Sequence, residues 1–291
     1  MCLIAVAVDP PGPWSFVLAA NRDEFHDRHA APAAWWAAPD DDIFGGRDLQ
    51  AGGSWLALRR LPGSGGLRLA ALTNLRPGLM PSPPPAGAGA APPSRGGLVS
   101  AFLRADEPPG RWMSRLQPPP QAYAGFNLIA AAIHGRAGAA RVDVGYLNNL
   151  PDGAWHPLGR GSHALSNATL GVSWPKTDRL LAGLDAALAA AGGDAGRLAE
   201  RLLQALSDRT PAPDSELPST GLDPARERLL SAPFIVDEHY GTRASTVVVV
   251  ARGGGVLFVE RSFGPRGRAL GTVSERIVLA QVATAGVLGR G

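Results

Sequence analysis

The sequence predicts a layered fold in which two central β-sheets are covered by α-helices. Residues 2–74 consist mainly of short apolar runs of the kind that form strands. The middle of the chain adds further strand-like runs and two Ala- and Leu-rich helical segments. The last part contains a β-branched run at residues 246–250, which is typical of a fully buried strand. Strands too apolar to face water, flanked by long helices, favour sheets sandwiched between helices.

The individual elements are predicted from runs of apolar residues bounded by Pro- and Gly-rich turns. The first two runs are separated only by the turn at residues 9–13, so we expect them to form a buried hairpin. We predict strands over 2–8, 14–20, 54–59, 67–74, 126–133, 140–147, 244–251 and 255–260. Helical patterns fall at 96–105, 176–190, 195–207 and 224–231.

The composition fits a folded protein with a substantial core. The chain has 291 residues, of which 45% are hydrophobic and 18% charged. This length fits either one large domain or two smaller ones, and we favour a single domain over residues 1–291. The Pro- and Gly-rich tracts near 77–95 and 117–120 are interpreted as insertions in surface loops.

Charge and cysteine usage exclude several classes of protein. The net charge is +3, but the arginines are dispersed among Ala, Gly and Leu, which disfavours nucleic acid as a partner. A single cysteine permits no internal disulfide. No apolar stretch reaches the roughly 18 residues of a membrane span, and no basic segment of a signal peptide precedes the first strand. We therefore expect a cytoplasmic protein without integral membrane association.

Cys2 is the only cysteine, and it follows the initiator Met1 directly. If Met1 is removed, one residue carries both a thiol and a free α-amine. The amine, with a pKa of about 7.7–8.0, can accept the thiol proton near neutral pH. This arrangement is that of an N-terminal nucleophile (Ntn) hydrolase, and the alternative is a buried structural cysteine.

The polar sequence Asn21-Arg22-Asp23-Glu24 ends the second apolar run. The predicted hairpin would bring these four residues alongside Cys2, although a solvated strand end is also compatible with them. A cation beside the thiol, Arg22 or Arg243, is expected to lower its pKa.

A set of motifs in a fixed order extends along nearly the whole chain. They lie at residues 1–2, 20–25, 45–49, 52–56, 72–76, 94–96, 125–128, 165–168, 174–176 and 240–246. In these motifs the chain resembles the NRDE family, also called the transport and Golgi organisation protein 2 family. The resemblance implies an α+β fold, a four-layer αββα sandwich of the Ntn-hydrolase type. It implies no single reaction, because members are tied to Golgi organisation, to lipid and acyl-CoA metabolism, and to haem trafficking.

Resemblance to the penicillin V acylase and bile-salt hydrolase branch of these enzymes implies roles for particular residues. Asn167 is similar in setting to their oxyanion asparagine, and Asn74 to the partner whose backbone completes the oxyanion hole. Either asparagine could instead close a turn. These acylases also carry an Arg and an Asp near the end of the second strand.

Alignment of the acylase pattern on Phe25 places Asn21 and Glu24 at those two positions, whereas Arg22 and Asp23 have the expected chemistry one position away. A shift of one residue turns a side chain to the other face of a strand, so the choice between the two pairs stays open. Trp55 could line an apolar substrate pocket or fill the core.

The sequence thus predicts a Cys2-dependent hydrolase of a non-peptide C–N (amide) bond in an acylated small molecule. Its catalytic residues would be Cys2, Asn167, Asn74, Arg22 and Asp23, and its substrate-binding residues Asn21, Glu24, Arg243 and Trp55. The alternative is a non-catalytic carrier or chaperone for haem or for an acyl-CoA or lipid-like ligand. No cofactor and no metal are predicted, because His26 and His29 lack a third ligand nearby.

Overall fold

Two antiparallel β-sheets lie face to face in the computed structural model, which describes residues 2–61, 65–79, 92–117, 119–136, 139–151 and 153–279. The strands are β1 (Cys2–Val8), β2 (Trp14–Phe25), β3 (Ala30–Trp35), β4 (Ile43–Asp48), β5 (Leu56–Leu61), β6 (Gly66–Asn74), β7 (Phe126–Arg136), β8 (Ala139–Asn148), β9 (His156–Pro157), β10 (Gly161–Leu165), β11 (Tyr240–Ala251), β12 (Gly255–Gly264) and β13 (Arg268–Val278). The α-helices are α1 (Gly96–Arg104), α2 (Pro109–Ser114), α3 (Pro175–Ala190), α4 (Ala195–Leu206) and α5 (Pro224–Leu229).

The sheets have six and seven strands among the described residues. The first has the order β10-β1-β2-β11-β12-β13, and the second runs in sequence order from β3 to β9. The β1–β2 hairpin and the return of β11 beside β2 place strands from the start of the chain next to a strand from its last quarter, within the first sheet. Polar residues at the ends of β1, β2 and β6 therefore meet near one edge of the sandwich.

Three apolar clusters separate four layers. The inner faces of both sheets pack against each other through residues such as Val6, Leu18 and Phe258. The outer face of the first sheet packs against α3 and α4, and that of the second packs against α1 and α2. The predicted α+β sandwich, with helices on both outer faces, is confirmed.

The eight predicted strands and four predicted helices are present, several with longer bounds. The strand predicted over 14–20 continues to Phe25, because its polar end pairs with β11. The strand predicted over 244–251 starts earlier, at Tyr240, for the same reason. The sequence missed β3, β4, β9, β10, β13 and α2. Strand β13 is almost entirely exposed and so lacks an apolar pattern.

The loop predictions are covered in part. Residues 80–91 and 118 lie outside the described residues, as do residues 62–64 of the turn predicted between β5 and β6. Residues Pro77–Leu79 and Pro120–Ala122 form single turns of 3-10 helix. The division of the chain into one domain stays a prediction.

A close backbone approach fixes the segment that follows β4. Gly53 lies against the start of α1, where the Ser54 N–H donates to the Gly96 carbonyl at 3.2 Å. A Cβ at Gly53 would overlap the backbone carbonyl of Gly96, whereas one at Gly97 would meet open space. This contact positions Ser54 and Trp55 beside the end of β1.

Gly53→Ala should destabilise the protein by about 1–3 kcal/mol, because the added methyl group overlaps backbone that cannot rotate away. The matched control is Gly97→Ala, which should be neutral or stabilising by up to about 1 kcal/mol because alanine favours helix. Urea unfolding of both variants measures the difference. Equal stability of the two variants would contradict this packing.

Candidate functional site

A cleft with a volume of about 320 Å³ opens at the N-terminal end of β1 and is lined by Cys2. The strand ends contribute Arg22, Glu24 and Asn74 to its wall. The loop after β4 adds Trp55, and the segment before α1 contributes Pro92, Pro93, Ser94, Arg95 and Gly96. The cleft therefore combines one thiol with charged groups of both signs.

Cys2 lies directly opposite Arg22 in the β1–β2 ladder. Paired residues project to the same face of a sheet, so both side chains belong to the face between the two sheets. Burial raises the pKa of the Cys2 thiol above its ordinary value, and the charge of Asp23 acts in the same direction; the α-ammonium at the start of the chain and Arg22 act against it. The lowered pKa expected from the sequence is therefore not found for the chain that retains Met1, because burial outweighs both cations.

The strand alternation assigns the four polar residues to different surroundings. Arg22 and Glu24 share the face of Cys2, and their charged groups lie 4.0 Å apart. Asn21 points the other way, donating to the carbonyls of Leu206 and Pro233 at 2.8 Å each. Its Oδ1 accepts from the Ser245 hydroxyl. The cleft thus receives Arg22 and Glu24, whereas Asn21 is held by bonds within the fold.

Asp23 lines the cleft and also contacts β11. Its Oδ1 accepts a 2.7 Å hydrogen bond from the Thr242 hydroxyl. Burial raises the pKa of Asp23, while the charge of Lys176 acts to lower it. Asp23 is thus a buried carboxyl beside the start of the chain.

Two cations near the cleft were not singled out from the sequence. Lys176, in the first turn of α3, is 1% exposed, and its Nζ has no hydrogen-bond partner among the described residues. Burial lowers its pKa to about 8, against the charges of Asp23 and Cys2. Arg95 donates to the Gly125 carbonyl at 3.0 Å, and burial lowers its pKa. The only signal for either residue was its place in a motif of the resemblance.

The two asparagines proposed for the oxyanion hole are in contact, but only one lines the cleft. Asn74 belongs to the wall, whereas Asn167 is fully buried behind it. The Asn167 Nδ2 donates to the Asn74 carbonyl at 2.8 Å. The Ser166 hydroxyl lies within hydrogen-bond distance of both the Cys2 carbonyl and the Asn167 Oδ1. Asn167 therefore joins the ends of β6 and β10 beside Cys2.

Arg243 lies at a bulge of β11 and does not line the Cys2 cleft. Its guanidinium donates to the backbone carbonyls of Phe25, His26, Arg28 and Phe263. Burial lowers its pKa. The structure therefore assigns the cation opposite Cys2 to Arg22 rather than to Arg243.

A second cavity, with a volume of about 280 Å³, lies between β3, β12 and β13. Arg22 and Trp55 line both cavities, and the guanidinium carbon of Arg22 is 4.4 Å from the centre of the Trp55 ring. Glu260 and Arg243 are its other charged residues. Trp55 thus lines a cavity on each side, and its role in binding a substrate stays a prediction.

Fold and cleft together define a class: α+β sandwich proteins with a cysteine at the start of the first strand, facing a charged cleft. A sequence model of the family described as Transport and Golgi organisation 2 matches residues 1–265. The chain belongs to this family.

Curated relatives show the same relationship over most of their length. The chain is 33% identical to the Transport and Golgi organization protein 2 homolog of Bos taurus over 277 residues, which is 90% of this chain and 93% of the relative. It is 30% identical to the Mus musculus homolog over 276 residues, again 90% and 93%. The Drosophila melanogaster Transport and Golgi organization protein 2 is 30% identical over 274 residues, covering 90% of this chain and 92% of that protein.

Within the described part of the chain, no helix is long and apolar enough to cross a membrane. His, Cys, Asp and Glu side chains of the same residues form no group of three or more that could hold a metal ion.

Glu260→Gln should flatten the pH dependence of stability. Burial raises the pKa of Glu260 from 4.5 to about 7, so the native protein holds this proton more tightly than the unfolded chain does. Its contribution to the free energy of unfolding is therefore present below pH 4.5 and is lost as the pH rises through about 7, by about 3 kcal/mol in total.

Urea unfolding of wild type and variant at about pH 5 and about pH 8 measures this difference. Glu200→Gln is the matched control, because Glu200 is exposed and ion-paired on the surface. If Glu260→Gln lost as much stability between the two pH values as the wild type, the assignment of this proton would be wrong.

Proposed function

We propose that this chain is an Ntn hydrolase in which Cys2, after removal of Met1, attacks the carbonyl of a non-peptide C–N (amide) bond in an acylated small molecule. The observation that carries the proposal is the position of Cys2 opposite Arg22 at the wall of a charged cleft. Membership of the family does not fix a reaction, so the proposal rests on this geometry and on the chemistry of an N-terminal thiol.

The first half of the reaction forms a thioester. The α-amine of Cys2 takes the thiol proton, and the thiolate adds to the acyl carbon. Arg22, which has a positive charge opposite Cys2, stabilises the thiolate and the negative oxygen that develops on the substrate. The C–N bond then breaks, and the ammonium of Cys2 returns its proton to the leaving amine.

The second half returns the free enzyme. Water, deprotonated by the α-amine, attacks the thioester carbonyl, and the acid leaves as the thiol of Cys2 is restored. We assign the oxyanion donor to the side-chain amide of Asn74 at the cleft wall, in place of the backbone role that the acylases imply, and Asn167 supports it by binding the Asn74 carbonyl. Asp23 and Lys176 lie beside the chain start and are assigned to orient the amine, as positioning residues.

A second candidate comes from another class. The raised pKa of the Cys2 thiol favours an unreactive cysteine in the chain that retains Met1. In that case the cleft would hold haem or an acyl-CoA or lipid-like ligand without turnover, as a carrier or chaperone does. Both candidates act in the cytoplasm in our proposal.

Cys2→Ala should abolish turnover while leaving the melting temperature close to that of wild type, because it removes one sulfur atom from a partly exposed strand end. Asn74→Ala should lower kcat by a factor on the order of 10²–10³, the usual effect of removing an oxyanion donor. Turnover is measured over a panel of N-acyl amides, acyl-homoserine lactones and penicillin V.

The protein for this panel is first checked by intact mass for loss of Met1, since the mechanism needs the free amine. Ser274→Leu, on the exposed outer face of β13, is a control that should keep full activity. Processed protein that hydrolyses nothing in the panel but binds haem or long-chain acyl-CoA saturably would establish the carrier instead.

A further inference from the structure

The cavity between β3 and β13 adjoins the Cys2 cleft, and the two share Arg22 and Trp55 as lining residues. The face of β13 that borders it is set by register. Gly271 pairs with Ser262, and Val273 pairs with Glu260, so these residues share the inner face of the sheet. A group bound at Cys2 therefore has this cavity as its neighbour across the Arg22–Trp55 stack.

The cavity is apolar along most of its wall, where Ala31, Pro32, Phe263, Leu270 and Val273 contribute. Each methylene group of a ligand that is buried here should raise the affinity about fourfold. The volume of about 280 Å³ is at the lower limit of ligand pockets, which favours a compact group over a macrocycle the size of haem.

The other charged residues of the cavity already have partners. The Glu260 carboxylate accepts from the Ala33 N–H at 2.7 Å and from the Thr246 hydroxyl at 3.0 Å. The Arg243 guanidinium donates to backbone carbonyls, the shortest bond being 2.7 Å to Phe25. These side chains shape the wall and have little left to offer a ligand.

Arg22 and Trp55 differ from them. The Arg22 Nη1 and the Trp55 Nε1 are buried donors with no hydrogen-bond partner among the described residues. The Arg22 side chain is only 5% exposed. Because buried donors are rarely left unpaired, two of them at the junction of two cavities point to an acceptor oxygen from a ligand.

We propose that the cavity between β3 and β13 binds the apolar acyl group of the substrate, and that Arg22 and Trp55 donate to its oxygen. This oxygen is the carbonyl of the amide substrate and a carboxylate oxygen of the acid product. The site therefore selects compact acyl chains next to a hydrogen-bond-accepting carbonyl. The inference rests on the proposed function for its substrate, but the cavity can be tested by binding alone.

The direct test is a chain-length series. Straight-chain carboxylates from butanoate to dodecanoate are titrated calorimetrically into full-length Cys2→Ala protein, which performs no chemistry. Affinity should rise about fourfold per methylene and then level off at the length that fills the cavity. Affinity that does not depend on chain length would overturn the proposal.

Two variants locate the binding. Gly271→Leu adds a side chain on the inner face where a Cβ meets no atom within 4 Å, so it should shorten the chain length at which affinity levels off. Ser274→Leu, whose partner Val259 belongs to the outer face, is the matched control and should leave the series unchanged. Identical series for both variants would place the ligand elsewhere.

Trp55→Phe keeps the ring but removes the Nε1–H, and it should weaken every carboxylate about tenfold without changing the slope per methylene. If the dependence of affinity on chain length is lost together with the affinity, the substitution has collapsed the cavity. Unchanged affinity would overturn the donor role. Chain-length-dependent binding without amide turnover would leave this site standing and overturn only the hydrolysis. Turnover that does not depend on acyl chain length would support the hydrolysis and overturn this binding site.

Discussion

The antiparallel register of β1 and β2, with Cys2 opposite Arg22, is the constraint on which the site depends. Successive residues of a strand point to opposite faces, so this one pairing decides which polar side chains enter the space between the sheets. Arg22 and Glu24 enter it with Cys2, and Asn21 fastens the end of α4 on the outer face. A slip of one residue would exchange these roles and place Arg22 among the helices.

The same pairing puts several ionisable groups in a region with little water. The side chains of Asp23, Lys176 and Glu260 are almost completely buried. Burial shifts the pKa of each in the direction that favours its neutral form. Groups of this kind cost folding free energy unless they are paired or used. The fold offsets part of the cost with hydrogen bonds, such as that from Thr242 to Asp23, whereas the Arg22 Nη1 and Trp55 Nε1 donors have no partner among the described residues.

Local patterns were enough to predict the strands that are buried on both faces and the amphipathic helices, because their periodicity is independent of what they pack against. They also identified Cys2 and the polar end of β2. They could not choose between Arg22 with Asp23 and Asn21 with Glu24, because that choice depends on a register fixed by β11 as well as β1. In the structure Arg22 and Asp23 both line the cleft, whereas the second pair is divided: Glu24 lines the cleft and Asn21 does not.

Contacts between distant segments account for what the sequence missed. Lys176 approaches Asp23 because α3 packs on the outer face of β1. Asn167 reaches Asn74 because it lies just after β10, the edge strand that pairs with β1. The apolar cavity is formed by β3 and β13, two strands without a clear apolar pattern. Sites assembled between elements of this kind have no local signature.

We propose that removal of Met1 converts Cys2 from a thiol of raised pKa into a nucleophile. The direct measurement is the pH dependence of Cys2 alkylation by iodoacetamide, for a chain that starts at Cys2 and for one that keeps Met1. Because Cys2 is the only cysteine, all labelling reports on this residue. Burial should hold the thiol pKa above its ordinary value while Met1 is present, against the charge of that chain's α-ammonium. An α-ammonium on Cys2 itself is closer to the thiol and should lower its pKa further in the chain that starts at Cys2. Coincident profiles for the two chains, or labelling that needs denaturant in both, would contradict the account.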